Sequence, residues 1–545
     1  MKKESTKVGD APPFSLNRRD GILIAILVLI AVTARLLPGP RTIDDAYITF
    51  RYARNIVEGV GFVYNPGERV LGTTTPLYAT LMAAIGLFTG QDNYPVFALA
   101  VNTLADATTC VLLYLLMRRL VASRLPAATL GLLWAVAPMS VTFAIGGMET
   151  SVFILWMVAT VWMYVIGRDG WAALTGALGV LTRPDAALWV GLILLHQLWM
   201  RFRQRGEQPP RRWLPWRTWL VFGAVLLPWV TFALAYFGTP VSRTAGAKIA
   251  TYSLAPGATL IRLLQHFATP FFEYNSLGAG GTAVGLFLYP MLFAVGALAL
   301  TRRTSAGERA LPIFLYPPLY GAAFALTNVL LFRWYLAPPL PVYFMGIIGG
   351  AWVLLDEVGR AIARRGHTHS EAQHASPLLA TLVFGGLATI WLGFSLNAWT
   401  VHPDHGPDRP APKMAFIELE RLYEQVGRAL TDDHGVTAKT VVCAGDIGAV
   451  GYFSRARIVD TVGLVTPAAS AYYPVDPAII APGNNYAIPA ALVLDMRPDF
   501  VVIMESYGRL GLLPDPAFSA QYELIETLDT TLYESKGMLL FRRAP

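Results

Sequence analysis

Long apolar runs joined by short polar connections dominate the first 400 residues. "GILIAILVLIAVTARLLP" (21–38) is long enough to cross a bilayer, for which about 20 residues are needed. The same pattern predicts spans at about 95–117, 125–145, 150–167, 171–182, 186–200, 218–237, 284–300, 310–330, 334–355 and 377–400, about eleven in all. "PLYATLMAAIGLFTG" (76–90) is short for a span and is predicted to be a juxtamembrane or re-entrant helix. The pattern changes after residue 400. "VHPDHGPDRPAPK" (401–413) reads as a Pro-rich polar linker, and "MAFIELERLYEQVGRAL" (414–430) has apolar residues at helical spacing. "TVVCAGDIGAVGYF", "ARIVDTVG", "DFVVIM" and "GMLLFRR" read as short β runs bounded by Gly, Pro and Asp. The expected fold class is a polytopic α-helical membrane domain (1–400) followed by a soluble α/β domain (401–545). Within the membrane domain, 39–95 forms a first extracytoplasmic loop with juxtamembrane helices, and 238–283 forms a second long one.

Composition agrees with the membrane class: 54% of residues are hydrophobic, 14% are charged, and the mean hydropathy is +0.46. The net charge of +7 does not call for nucleic acid as a partner, because the cations sort by side. Lys2, Lys3, Lys7, Arg18 and Arg19 precede the first span. Arg118, Arg119, Arg124, Arg168, the six Arg of 201–217, Arg302, Arg303, Arg309, Arg360, Arg364 and Arg365 then fall on that same side. This places the N-terminus in the cytoplasm, the C-terminal domain outside, and the protein in the plasma membrane with the bilayer as its standing partner. The first helix lacks a small-residue cleavage site and reads as uncleaved. Cys110 and Cys443 imply neither a disulfide nor a metal site. The spacing of Gly445, Gly448 and Gly451 is not a dinucleotide fingerprint, since no long helix and no suitably placed acid follow.

Chemistry gathers in "TIDDAYITFRYARN" (42–55). Ala46, Phe50, Ala53 and Val57 recur at helical spacing, and Gly59 and Gly61 end the run. Asp44 at the start reads as an N-cap, with Asp45 in the first turn where the helix dipole favours an anion. Equally, a carboxylate partly desolvated beside another can serve as a base.

The run "DDAYITFRYARNIVEGVGFVYNPGERVLGTTTPLY" (44–78) resembles the first extracytoplasmic loop of GT-C membrane glycosyltransferases. It is most similar to the mycobacterial terminal arabinofuranosyltransferases that use decaprenyl-phosphate arabinose. The likeness to protein O-mannosyltransferases and aminoarabinose transferases is more distant. The resemblance continues through "GGMETSVF" (146–153), "LTRPDA" (181–186), "FRWYLAPPL" (332–340) and "GAVGYFSRARIVDTVGLVTP" (448–467). It implies a GT-C fold and a site at the extracytoplasmic membrane surface. It further implies transfer, with inversion, of a sugar such as arabinofuranose from a polyprenyl-phosphate-linked donor to a glycan, lipid or protein hydroxyl. The general base is then Asp44 or Asp45, with Asp44 preferred because the related Asp-Glu pair uses its first member.

A departing lipid phosphate needs cations. Lys248 and Arg243 of "PVSRTAGAKIATYS" (240–253), Arg333 at the start of the tenth span and Arg183 in a short turn are the candidates. Each also reads as a snorkelling anchor or loop charge. Tyr47, Arg51, Glu149, His266 and Tyr335 are candidates for substrate binding. Glu149 reads as well as a helix N-terminal charge, and a lone His266 as structural. No cofactor is required. Some GT-C enzymes use a divalent cation, for which Asp44, Asp45, Glu149 and Glu273 could supply hard ligands, but no spacing demands one. Two other classes stay open. A secondary transporter would show repeated halves and mid-span charges, and a non-catalytic GT-C-like binding protein would be expected to lose the acidic pair.

The charge pattern makes a topological prediction. Single cysteines at positions 60 and 402 label from outside intact cells, and those at 208 and 120 label only after permeabilisation. Labelling of position 120 from outside would make 76–90 a true span.

Overall fold

The computed structural model describes residues 15–203, 215–302, 304–366, 369–404, 406–415 and 418–545. Lys2, Lys3, Lys7, Arg303 and most of the arginine-rich loop (204–214) lie outside the described residues.

The first helix, α1 (Arg18–Leu36), opens with a reciprocal capping box. The Asn17 side chain accepts from the N–H groups of Arg19 (3.0 Å) and Asp20 (3.3 Å), and Asp20 accepts from the Asn17 N–H (3.0 Å). Near its other end Arg35 is wholly buried, with Nε donating to Asp106 (2.8 Å) in the middle of α4 (Tyr94–Val121). Its remaining nitrogens donate to the Ala135 carbonyl (2.7 Å) and the Ser140 hydroxyl (2.6 Å). A buried ion pair is best tolerated when its spare donors find partners, as those of Arg35 do here, and the pair sets the exit of α1. The chain then runs beside residues 145–146: the N–H of Arg41 donates to Ile145 O (2.8 Å) and that of Ile43 to Gly146 O (3.0 Å).

That path delivers α2 (Asp44–Val57), which carries the acidic pair. The sequence predicts one apolar face, yet residues 46–55 are buried without exception, Arg51, Arg54 and Asn55 included. The reason is tertiary. The helix α3 (Pro76–Thr89) covers one side, and residues 447–456 of the C-terminal domain cover the other. Gly59 and Gly61 follow with φ of 75° and 115°, so the chain turns where the glycines predict.

Among the described residues, six helices are long and apolar enough to cross a membrane: Tyr94–Val121, Trp216–Phe237, Tyr274–Arg302, Ser305–Thr327, Leu340–Ile362 and Leu378–Asn397. A seventh is the pair Arg124–Val136 and Pro138–Ile145, bent by 43°. Pro138 forces Ala137 into an extended conformation (φ −56°, ψ 128°), which breaks the single span expected at 125–145. Pro338 and Pro339 likewise delay the span expected from 334, whose helix begins at Leu340. Several of the other expected spans are shorter. The helices Thr150–Val165, Asp169–Thr182 and Ala187–Arg203 have 16, 14 and 17 residues. At 1.5 Å per residue they reach only about 21–26 Å, so the count of about eleven is not met by length and composition alone. The same limit applies to α3, whose 14 residues suit the juxtamembrane role predicted for it.

The linker predicted at 401–413 instead contributes to an antiparallel ribbon of β1 (Trp399–Asp404) and β2 (Gly406–Pro412), with Trp399 opposite Pro412 and Val401 opposite Pro410. Prolines are admitted because both strands of a two-stranded ribbon are edges. Beyond it, the Glu418–Asp432 helix packs on a five-stranded sheet. Its strands are β3 (Val441–Ala444), β4 (Arg457–Asp460), β5 (Phe500–Met504), β6 (Tyr522–Leu528) and β7 (Met538–Arg543), in the order β4-β3-β5-β7-β6. β3 is parallel to β4 and β5, and β7 is antiparallel to β5 and β6. Four of these strands lie in the predicted runs. β6, "YELIETL", is additional, and its largely exposed residues explain its weak apolar signal. Cys110 and Cys443 are buried and unpaired.

Gly448 and Gly451, on the short Gly448–Ser454 helix, explain the glycine spacing. A Cβ at Gly448 would stand 1.8 Å from the Asp44 carbonyl oxygen, and one at Gly451 would stand 2.0 Å from the Tyr64 hydroxyl. Gly448 allows backbone to meet backbone between the two parts of the chain, and Gly451 leaves room for the Tyr64 and Arg51 side chains. Gly448→Ala is therefore expected to destabilise by at least about 1–3 kcal/mol, the usual cost of overpacking. Gly385→Ala, where a Cβ meets nothing within 4 Å, is the control. Thermal unfolding in detergent tests this, and equal midpoints for the two variants would refute the close approach.

Candidate functional site

The adjacent acids point in different directions. The Asp44 side chain does not cap its own helix: Ile43 stands at the N-cap and no side-chain capping bond forms there. Instead the Asp44 carboxylate accepts from the backbone N–H groups of Gly448 (2.9 Å) and Ala449 (2.7 Å). Burial and the neighbouring Asp446 charge push its pKa well up, while the two amides stabilise its anion. Glu420 of the other domain lies near the start of α2, where the Asp44 backbone favours its charged form against the burial that opposes it.

Asp45 faces a cavity of about 320 Å³, near the lower limit of small-molecule sites. Its carboxylate lies 3.5 Å from the Lys248 ammonium, with side-chain exposures of 30% and 15%. Lys248 sits on the helix Thr244–Thr251 with Nζ 4.1 Å above the Phe332 ring, a cation–π contact. Burial works against its charge, but Asp45, with Tyr335 and Asp446, outweighs that and raises the Lys248 pKa. The opposite wall is a second charged group. Arg183 donates from Nε and Nη2 to both oxygens of Asp185 (3.0 and 2.8 Å) and from Nη1 to Glu149 (3.5 Å), and it stacks 4.8 Å from the Tyr335 ring. Between the two charged groups runs a hydroxyl chain, Thr49 to Thr75 (3.2 Å) and Thr75 to Thr73 (3.0 Å). Phe324, Val329, Leu330 and Trp334 form an apolar margin.

Of the residues expected from sequence, the cavity thus brings together Asp45, Lys248, Arg183, Glu149 and Tyr335. The others lie elsewhere. Arg243 is exposed at the N-terminus of the Lys248 helix. Arg333 donates to the Met414 carbonyl (2.7 Å) and braces the start of the C-terminal domain. Arg51, 2% exposed, donates to the carbonyls of Tyr64 (2.9 Å), Gly451 (2.7 Å) and Ala456 (2.6 Å) and to Asn65 (3.4 Å), so four of its five N–H donors are held within the protein, away from the cavity. Tyr47 is buried among Phe50, Tyr452 and Phe453. His266 donates through Nε2 to the Leu336 carbonyl (2.9 Å), and burial lowers its pKa to about 4, so the ring is neutral and structural. Glu273 lines a separate apolar groove between helices. Among the described residues, no group of three or more Asp, Glu, His or Cys is arranged to hold a metal.

Sequence reading missed three contributors: Asp185, the hydroxyls of "GTTTP" (72–76), and Asp446 at the carboxyl end of β3. Asp185 and the threonines sit inside motifs already singled out, and their proximity to acids or arginine was the available signal. Asp446 had no such signal. Burial, with Asp45 adding to the rise, pushes it up to about 6, against the Tyr423 hydroxyl that donates to it and the Lys248 charge.

Comparison with known proteins adds the following. Residues 415–541 match the family described as "Domain of unknown function (DUF8728)". A "Terminal beta-(1->2)-arabinofuranosyltransferase" of Mycobacterium tuberculosis is 29% identical over 232 residues, which is 38% of this chain and 34% of that protein. The chain therefore spans about a third of the length of that curated relative. Among solved structures, the archaeal oligosaccharyltransferase AglB from Archaeoglobus fulgidus, in complex with an inhibitory peptide and a dolichol-phosphate, matches at TM-score 0.55 and 13% identity. That match covers 97% of this chain and 74% of AglB. ArnT from Cupriavidus metallidurans, bound to undecaprenyl phosphate, matches at TM-score 0.54 and 12% identity over 96% of this chain and 97% of ArnT. At these identities the likeness establishes the fold: the chain is a multi-pass membrane protein with the GT-C architecture.

The Glu420 contact yields a pH prediction. Burial pushes Glu420 up to about 7 from an ordinary 4.5, and its Oε2 has no hydrogen-bond partner, as suits a protonated acid. Between those values the folded state holds a proton that the unfolded state releases, so stability falls as pH rises through the window. Glu420→Gln keeps the acceptor and removes the charge. The melting-temperature difference between variant and parent is expected to grow in favour of the variant from pH 5 to pH 8, by the equivalent of about 1–3 kcal/mol. A pH-independent difference would overturn this protonation.

Proposed function

We propose that the protein is an inverting GT-C glycosyltransferase that moves a sugar from a polyprenyl-phosphate donor to a hydroxyl acceptor, with Asp45 as general base. The observation that carries the reading is the cavity's charge layout. A carboxylate 30% exposed lies 3.5 Å from an ammonium, in one cavity with a Glu149–Arg183–Asp185 group and an apolar margin. Support for the donor class comes from AglB and ArnT, which share the fold and were solved with dolichol-phosphate and undecaprenyl phosphate. Support for arabinofuranose comes from the named mycobacterial relative. The extracytoplasmic side and plasma membrane follow from the arginine distribution.

In this reading the acceptor oxygen attacks the anomeric carbon and its proton passes to Asp45. The bond from that carbon to the phosphate oxygen breaks, and the charge left on the lipid phosphate is met by Lys248, which is held protonated. Little acid catalysis is needed because phosphate already leaves well. Arg183 is neutralised by two carboxylates and serves better with them as a hydrogen-bonding wall for sugar hydroxyls than as a phosphate cation. Phe324, Leu330 and Trp334 offer a way out for the lipid tail. The preference for Asp44 that family analogy suggests is therefore reversed. Asp44 is committed to backbone amides of the C-terminal domain, and it positions α2, and Asp45 with it.

The test is a pair of asparagine variants assayed with a polyprenyl-phosphate arabinose donor. Asp45→Asn should cut turnover about 10²- to 10⁴-fold with the parent melting temperature retained. Asp44→Asn should lower the melting temperature, since an amide oxygen replaces only one of two acceptors. Lys248→Ala should weaken donor use by about 1.5–3 kcal/mol. Full activity of Asp45→Asn on a verified donor would sink the assignment.

A further inference from the structure

Arg54 is the anomaly of α2. One turn earlier Arg51 meets four hydrogen-bond acceptors. Arg54 is as deeply placed, 6% exposed, yet among the described residues its side chain makes neither an ion pair nor a hydrogen bond. Its Nε is buried without a partner, and its guanidinium lies 4.3 Å from the Tyr452 ring centroid. A cation–π contact does not replace the hydration an arginine loses on burial, so the charge calls for an anion. Glu58, the nearest carboxylate on the same helix, is already paired with Arg455 at 3.0 Å.

The space for an anion is present. Arg54 lines a pocket of about 480 Å³ between the end of α2, the end of α3 and the start of α4, where Gln91 and Asn93 also face it and where the acidic Glu58 and Asp92 line the rest of the wall. The rim is apolar and outward-facing: Leu87 is 60% exposed, Phe88 92% and Val96 45%. Exposed side chains of this kind on helices that join membrane spans are suited to acyl chains. The pocket is distinct from the Asp45 cavity. Asp45 and Arg54 are nine residues apart in one helix, which is two and a half turns, so they face opposite ways about 13 Å apart along the axis.

We propose that this pocket binds the phosphodiester head group of a membrane phospholipid, with the phosphate on Arg54, the Gln91 and Asn93 amides as further donors, and the acyl chains over Leu87 and Phe88. Such a lipid would sit where Tyr452 of the C-terminal domain stacks on Arg54 and donates to the Asp92 carbonyl (3.1 Å), and so would seal that domain against the membrane surface.

Phosphatidylglycerol titrated onto the purified full-length protein, followed by native mass spectrometry, tests the site. Arg54→Gln should weaken binding of one lipid at least about tenfold, the loss expected for a charge-assisted contact. Because Arg54→Gln could loosen the fold, Gln91→Glu provides a second arm. It changes an exposed position, adds a carboxylate beside Gly90 and Asp92 at the pocket wall, and should displace the same lipid while the melting temperature holds. Equal phosphatidylglycerol binding by the parent and Gln91→Glu would overturn the proposal. A parallel titration with inorganic phosphate separates the sources. Stabilisation of the parent by phosphate as strong as by the lipid, and lost in Arg54→Gln, would assign the pocket to a free anion and overturn the lipid reading.

Discussion

A buried carboxylate pointing into two backbone amides organises this molecule. Asp44 begins α2 in the membrane domain, and its oxygens accept from Gly448 and Ala449 in the C-terminal domain. Charge-assisted hydrogen bonds of this type contribute about 1.5–3 kcal/mol each, and losing them would leave a charge stranded out of water. The contact is reinforced from both sides. Arg51 and Tyr64 grip the carbonyls that flank the same short helix, Asn65 exchanges hydrogen bonds with Ile458, and the Glu420 carboxyl group lies near the start of α2. The C-terminal domain thus completes the site-bearing helix instead of hanging from it.

This arrangement gives two adjacent aspartates opposite surroundings. Successive residues on a helix point about 100° apart, so one can be fixed in an interface while the next opens to a cavity. Asp44 is 8% exposed and saturated with donors. The Asp45 side chain is 30% exposed and lies 3.5 Å from the Lys248 ammonium. The like-charge neighbours that look costly in the sequence are thereby separated in surroundings, one in an interface between domains and one at a cavity.

The cavity keeps its own balance. Arg183, Glu149 and Asp185 form a closed group that holds its shape without a ligand, whereas Lys248 is tethered by one carboxylate and by aromatic faces. A rigid wall opposite a responsive pair suits a site that must orient one part of a substrate and react to charge developing in another.

The hydrophobic pattern by itself determined the membrane class, most of the long helices, the short helix at 76–90 and four strands of the terminal sheet. These follow from periodicity and span length, which are local properties. The acidic stretch stood out by its position beside a span, and the resemblance to GT-C enzymes marked the motifs that supply Glu149, Arg183 and Lys248. Tertiary structure alone decided which charges share a cavity. Arg51, Arg243, Arg333 and Lys248 are equivalent as letters, yet one meets Asp45 and two are bound to distant carbonyls, because contacts up to 405 residues apart set their neighbours. The polar face of α2 looked solvent-facing for the same reason: its cover is encoded some four hundred residues later. Which of two adjacent carboxylates is free depends on where a pair of glycines in another domain lets its backbone come to rest, and no local pattern carries that information.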